Sequence, residues 1–130
     1  VQDMGFLYES SMMADDRPYS LLANGEETGL IELPVEWILD DWPLFQISWP
    51  SKHVSIRNAE DVFSIWKEEF DGAHEEGTLY LLTMHPQVIG HRYRMKMLDR
   101  LIRYMKAKEG VWFATHEQIA EYVKSQANED

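Results

Sequence analysis

Apolar residues recur at helical spacing in three stretches of this chain and run without a period in a fourth. Ala59, Val62, Phe63, Trp66 and Phe70 follow an i, i+3, i+4 pattern, which puts side chains on one face of an α-helix. Asn58 stands before them as a cap, Glu60 and Asp61 suit the positive end of a helix dipole, and Gly77 supplies a stop. A second stripe, Leu98, Leu101, Ile102 and Met105, predicts a helix over 93–108 with Lys106 and Lys108 in its last turn and Gly110 beyond. The third follows Thr115, which has capping-box spacing to Gln118, and carries Ile119, Ala120 and Val123.

The aperiodic run is 79–84, β-compatible on both faces and bounded by Gly77 and Pro86, which reads as a strand covered on two sides. Pro86 has no amide donor and turns His85 away from helical geometry, so the strand is expected to end there. With a short buried strand expected over 111–114, the order from residue 58 is helix, strand, helix, strand, helix. That order predicts an α/β class, parallel strands with flanking helices joined by right-handed crossovers. Side chains at the carboxyl ends of such strands line ligand clefts, and His85 stands at one.

The first third is less regular. A short strand is expected over 6–9, and Asn24-Gly25 is a hairpin signal that pairs 19–22 with 30–33. Residues 34–50 hold Trp37, Trp42 and Trp49 with Asp40, Asp41 and three prolines, but no period. They are expected to form a long functional loop pinned by aromatics. The tail, 125–130, is polar and expected to fray. Two parallel strands plus the first third make a small sheet with an open edge, so the chain is expected to associate, as a homo-oligomer or with the rest of a larger barrel.

Composition narrows the function. In 130 residues, 45% are hydrophobic and there are five Trp, six Tyr and five Phe, enough for one globular domain with a core. A formal charge of −11 argues against nucleic acid and against anionic membranes, both of which are held by clustered Lys and Arg. The absence of cysteine excludes disulfides and thiolate chemistry and fits a reducing, cytoplasmic setting. No run approaches the ~20 apolar residues of a membrane-spanning helix.

The histidines are His53, His74, His85, His91 and His116, and no two have the spacing of a local metal pair. His85 at its strand end is either a general acid or base, with Asp40 or Asp41 as its carboxylate partner, or a buried histidine satisfied by backbone. Asp40-Asp41-Trp42 either orients a catalytic group and stacks on a sugar ring or forms an acidic turn with a wedged indole. Asp15-Asp16-Arg17-Pro18-Tyr19 holds a polar ligand through Arg17 or Tyr19, or is an Asp-initiated turn. A Gly-rich phosphate loop and a Gly-x-Ser-x-Gly nucleophile motif are both absent.

Four segments carry a family resemblance. Gly5-Phe-Leu-Tyr-Glu-Ser-Ser-Met-Met-Ala-Asp-Asp-Arg-Pro-Tyr19, Leu33-Pro-Val-Glu-Trp-Ile-Leu-Asp-Asp-Trp-Pro43, Thr83-Met-His-Pro-Gln-Val-Ile-Gly-His-Arg-Tyr-Arg94 and Gly110-Val-Trp-Phe-Ala114 resemble the C-terminal part of polysaccharide deacetylases. The nearest branch holds the peptidoglycan deacetylase-like and allantoinase-like proteins. The resemblance implies the C-terminal portion of a distorted (β/α) barrel. It also implies a metal-dependent hydrolysis, usually with zinc, of N-acetyl groups on a sugar polymer or of a related C–N bond. It assigns the late catalytic histidine to His85 and its supporting motif to Asp40, Asp41 and Trp42; substrate contacts are expected from Trp42, Trp37 and Tyr19.

The family's early Asp-Asp motif, its His-x-x-x-His metal pair and its base-orienting arginine motif precede the matching region, and Asp15-Asp16 is not the early motif. The expectation is therefore a piece of a longer protein, with no metal ligands of its own, inactive alone and associating with the missing N-terminal half. The alternative is a non-catalytic module that binds a glycan through Trp37, Trp42 and Tyr19, or a protein-interaction module.

Overall fold

A computed structural model describes residues 4–48, 53, 54 and 56–127. They form two compact units, residues 4–35 with 112–127 and the described residues of 36–111. Trp49 and Pro50, at the end of the expected aromatic loop, and residues 128–130 of the expected tail lie outside the described residues.

The first unit is a three-stranded sheet with one helix. Strands β1 (Tyr8–Glu9), β2 (Tyr19–Ala23) and β3 (Glu26–Glu32) lie in the order β1-β3-β2. The β2–β3 hairpin turns at Asn24-Gly25, where φ is 54° and 85°, the left-handed pair that a tight two-residue loop requires. Its register sets Tyr19 opposite Glu32 and Ser20 opposite Ile31, with an irregularity before Leu22. β1 runs parallel to β3. Leu30, Ile31 and Leu33 are buried, as is Ala120 of α5 (His116–Ala127). That helix opens on the expected capping box: Thr115 N donates to Gln118 Oε1 at 2.8 Å and Gln118 N to Thr115 Oγ1 at 3.2 Å.

The second unit is helical. Its elements are a 3₁₀ turn (Trp37–Leu39), α1 (Asp41–Phe45), the hairpin β4 (Ile47–Ser48) and β5 (His53–Val54), then α2 (Ala59–Glu76), α3 (Pro86–Ile89) and α4 (Arg92–Lys106). Asn58 Oδ1 accepts from Glu60 N, and Gly77 closes α2 at φ 66°. Val62, Trp66 and Phe70 of α2 meet Met97, Leu98, Leu101 and Met105 of α4 in one apolar core with Phe45, Val88 and Ile89. Ile102, expected on the α4 stripe, is exposed instead.

Several expectations differ from the structure. Residues 79–84 form no ladder, meeting Asp40 in a single parallel bridge at Thr83. The facing segment turns into α1 at Asp41, so one rung is all it can offer. Residues 111–114 are irregular, with Trp112 and Phe113 exposed rather than buried in a strand. The expected sheet of parallel strands with crossovers is thus, among the described residues, one mixed three-stranded sheet and one antiparallel pair. Within 34–50, expected as loop, the chain takes up the 3₁₀ turn, α1 and β4, and α5 continues through Ser125 to Ala127.

A charged cluster pins α2 to α4. Asp71 accepts from Lys67 Nζ at 2.7 Å and from Tyr104 Oη at 2.7 and 2.8 Å, and Lys108 Nζ lies 3.2 Å away. Burial alone would raise the Asp71 carboxyl, but hydrogen bonds from Lys67, Tyr104 and Lys108 outweigh it and hold it at about 2 against an ordinary 3.8. The stabilisation is therefore present above pH 3.8 and is lost as pH falls through about 2. Asp71→Asn is expected to lower the urea midpoint at about pH 6, with the gap to wild type closing toward about pH 2. An equal gap at both pH values would contradict this cluster as the cause.

Candidate active site

The site is built where two short helices begin. Asp40 caps α1, its Oδ1 accepting from Trp42 N at 2.7 Å. His85 stands at the start of α3, where Pro86 takes the first helical position and Val88 N and Ile89 N donate to the His85 carbonyl at 2.7 and 2.9 Å. The strand-like segments before them are stitched together: Asp41 N donates to Thr83 O at 3.1 Å and Thr83 N to Leu39 O at 2.9 Å. Trp66 Nε1, from α2 in the core, donates to Ile38 O at 2.9 Å and anchors the 3₁₀ turn from below. A Cβ at Gly90 would collide with the carbonyl oxygen of Pro86, so the turn that ends α3 needs glycine.

These constraints bring Asp41 and His85 together across 44 positions of sequence. The Asp41 side chain is fully buried, and both of its oxygens face His85. Oδ1 lies 2.7 Å from the ring Nδ1, and Oδ2 accepts from the His85 backbone N–H at 3.0 Å. A carboxylate can only accept, so the network assigns the proton to Nδ1. Gripping backbone and ring together fixes the imidazole plane and leaves Nε2 for chemistry. The His85 side chain is 34% exposed, and the Trp42 ring meets it edge-on with centroids 5.0 Å apart.

Asp40 Oδ1 is 3.8 Å from His85 Nδ1, too far for a hydrogen bond, and is already bonded to Trp42 N. Trp37, in the 3₁₀ turn, is 63% exposed and Trp42 39%. Tyr19 lies on β2 in the other unit, with its hydroxyl buried and unpartnered among the described residues. Arg17 sits in a turn in which its own N–H donates to Asp15 Oδ1 at 3.0 Å.

Asp40, Asp41 and His85 each offer a ligand atom within 4.8 Å of the others, the three-residue cluster capable of meeting an ion among the described residues. They do not fit a resident zinc. Ring nitrogen and carboxylate oxygen face each other at 2.7 Å, whereas an ion with bonds of about 2 Å to each would need them further apart. Asp40 Oδ1 already holds the Trp42 backbone amide, and Asp41 is used on both oxygens, Oδ1 on the ring and Oδ2 on the His85 backbone amide. The arrangement is an orienting carboxylate and a histidine.

One contributor escaped the sequence reading. Arg94 is 6% exposed and donates to Val88 O at 2.5 Å, to Phe45 O at 3.2 Å and through Nε to Tyr93 Oη at 2.7 Å. Its signal was position: Arg94 is in register with Met97, Leu98, Leu101 and Met105, a charge on an apolar stripe.

The chain is similar to known proteins over most of its length. No family model matches the chain. It is 27% identical to the peptidoglycan deacetylase of Helicobacter pylori over 142 aligned positions, covering 90% of this chain and 48% of that protein. A crystal structure from Mycobacterium smegmatis, described as a polysaccharide deacetylase, superposes with a TM-score of 0.87 at 33% identity, over 97% of this chain and 44% of the other. The crystal structure of Puue allantoinase does so with a TM-score of 0.77 at 28% identity, over 92% of this chain and 39% of the other. The chain thus spans about half the length of the proteins it matches.

Proposed function

This chain is a relative of the polysaccharide deacetylases over about half their length, and we propose that it is the C-terminal part of a distorted (β/α) barrel. The reaction is hydrolysis of N-acetyl groups on a sugar polymer, or of a related C–N bond. The observation that carries this reading is the Asp41–His85 pair, with both carboxylate oxygens on one histidine.

His85 is the general acid. Protonated at Nε2, it gives that proton to the departing amine nitrogen as the amide C–N bond breaks, while water supplies the oxygen of the released acetate. Asp41 holds Nδ1–H, keeps the ring aligned and stabilises the imidazolium before transfer. The edge of Trp42 covers one side of the ring, and the exposed indoles of Trp42 and Trp37 offer apolar faces to a sugar. A divalent metal, zinc in this family, would polarise the amide carbonyl and ease ionisation of the attacking water when bound. Its ligands would come from the part of the relatives that this chain does not cover.

The 130-residue chain alone is expected to bind no stoichiometric zinc and to release no acetate from N-acetylglucosamine oligomers. Metal analysis after dialysis and an acetate assay check this. Stoichiometric zinc with turnover by this chain alone would overturn the half-site reading.

A further inference from the structure

Arg94 pays the desolvation cost of a buried guanidinium with no carboxylate partner among the described residues. An apolar residue would fill this position on the α4 stripe at lower cost if packing were its only task. What the guanidinium reaches is specific. Nη2 donates to the carbonyl of Phe45, the last residue of α1, and Nη1 to the carbonyl of Val88, inside α3. Asp41 is the first residue of α1, and His85 immediately precedes α3.

These helices have five and four residues, too short to hold their own geometry, and the carbonyls near their ends lack intrahelical partners. One planar fork satisfies a carbonyl in each and so sets the spacing of the two helices whose starts carry the carboxylate and the imidazole. Phe45 and Tyr93 fix the fork in turn, with ring centroids 4.6 and 5.1 Å from its central carbon. The Nε bond to Tyr93 Oη locks its rotation.

We propose that Arg94 is a positioning residue that aligns Asp41 with His85 by clamping α1 to α3; its catalytic consequence rests on the deacetylase reading, its geometry does not. Lysine keeps the charge but cannot span two carbonyls with a rigid fork, so the clamp distinguishes Arg from Lys where simple charge or bulk would not.

The test follows the His85 Nδ1–H proton by ¹H–¹⁵N NMR in the 130-residue chain, assigned by its loss in His85→Ala. Arg94→Lys and Arg94→Met are expected to raise its exchange with water by about tenfold or more, because the pair opens more often. Tyr93→Phe, which removes only the Nε bond and leaves the core, is expected to raise exchange by about two- to threefold. In the reassembled deacetylase, Arg94→Lys is expected to lower kcat by about tenfold or more with KM nearly unchanged, as misalignment in the catalytic step would. Unchanged exchange in folded Arg94→Lys and in Tyr93→Phe would overturn the clamp. A wild-type chain without a protected Nδ1–H would overturn the Asp41–His85 pairing and the clamp with it. Faster exchange with unchanged kcat would leave the clamp standing and remove the deacetylase role of the pair.

Discussion

Asp41→Ala is expected to destabilise the 36–111 unit by about 3 kcal/mol, a drop in melting temperature of about 12–24 °C. The substitution removes two acceptors at once. It strands the His85 backbone N–H and the ring Nδ1–H, which bond to the fully buried carboxylate at 3.0 and 2.7 Å, and each buried donor left unpaired costs about 1–3 kcal/mol. Asp41 itself is costly to bury, so removing it recovers some desolvation. That recovery is smaller here because two donors point at the gap.

Asp41→Asn is a sharper variant. Its amide keeps the shape but has one acceptor oxygen, so its NH₂ must face a donor, and about 2 kcal/mol is expected to be lost. Asp40→Ala is expected to cost less, about 1 kcal/mol, the value of an N-cap. Urea unfolding of the three variants checks the order, and an Asp41→Ala chain as stable as wild type would sink the geometry.

His85→Ala is expected to lower kcat of the reassembled deacetylase by about 10²- to 10⁴-fold with a much smaller change in KM. On the proposed mechanism the substitution removes the proton donor from the step in which the C–N bond breaks, while the exposed indoles of Trp42 and Trp37, proposed to face the sugar, are left in place. A substrate whose leaving amine needs no protonation should recover much of the rate, because only general acid catalysis is missing. Equal losses for good and poor leaving groups would instead point to disrupted binding or folding. In the isolated chain the same substitution is expected to change no activity.

The parts of the fold that were legible in the sequence are those with local signals. Asn58 and Gly77 bracket α2, Thr115 and Gln118 open α5, and Asn24-Gly25 turns the β2–β3 hairpin; each signal acts within a few residues. Run 79–84 shows the limit. Its composition suits a strand, but a strand exists only with a partner, and Asp40 supplies one rung before the chain turns into α1. Trp112 and Phe113 fail for a similar reason: apolarity says what a residue would favour, not what covers it.

The candidate site divides the same way. His85, Asp40 and Asp41 stood out by residue type, by position and by family resemblance. Which carboxylate reaches the ring was not readable, because adjacent side chains point in different directions once α1 begins. Asp40 turns back to cap the helix while Asp41 turns inward to His85. Arg94 was hidden among the charges of a basic helix, and only the Met97, Leu98, Leu101 and Met105 stripe shows that it faces inward.

The central claim is that this chain carries the acid arm of a deacetylase site and no metal arm. Its most direct test is acetate release, with zinc, from N-acetylglucosamine oligomers. The assay compares this chain with the same chain joined to the part of the Helicobacter pylori relative that it does not match. The account predicts no release from the chain alone, release from the joined protein, and loss of about 10²- to 10⁴-fold on His85→Ala in the joined protein. Full activity of the joined His85→Ala protein would contradict it.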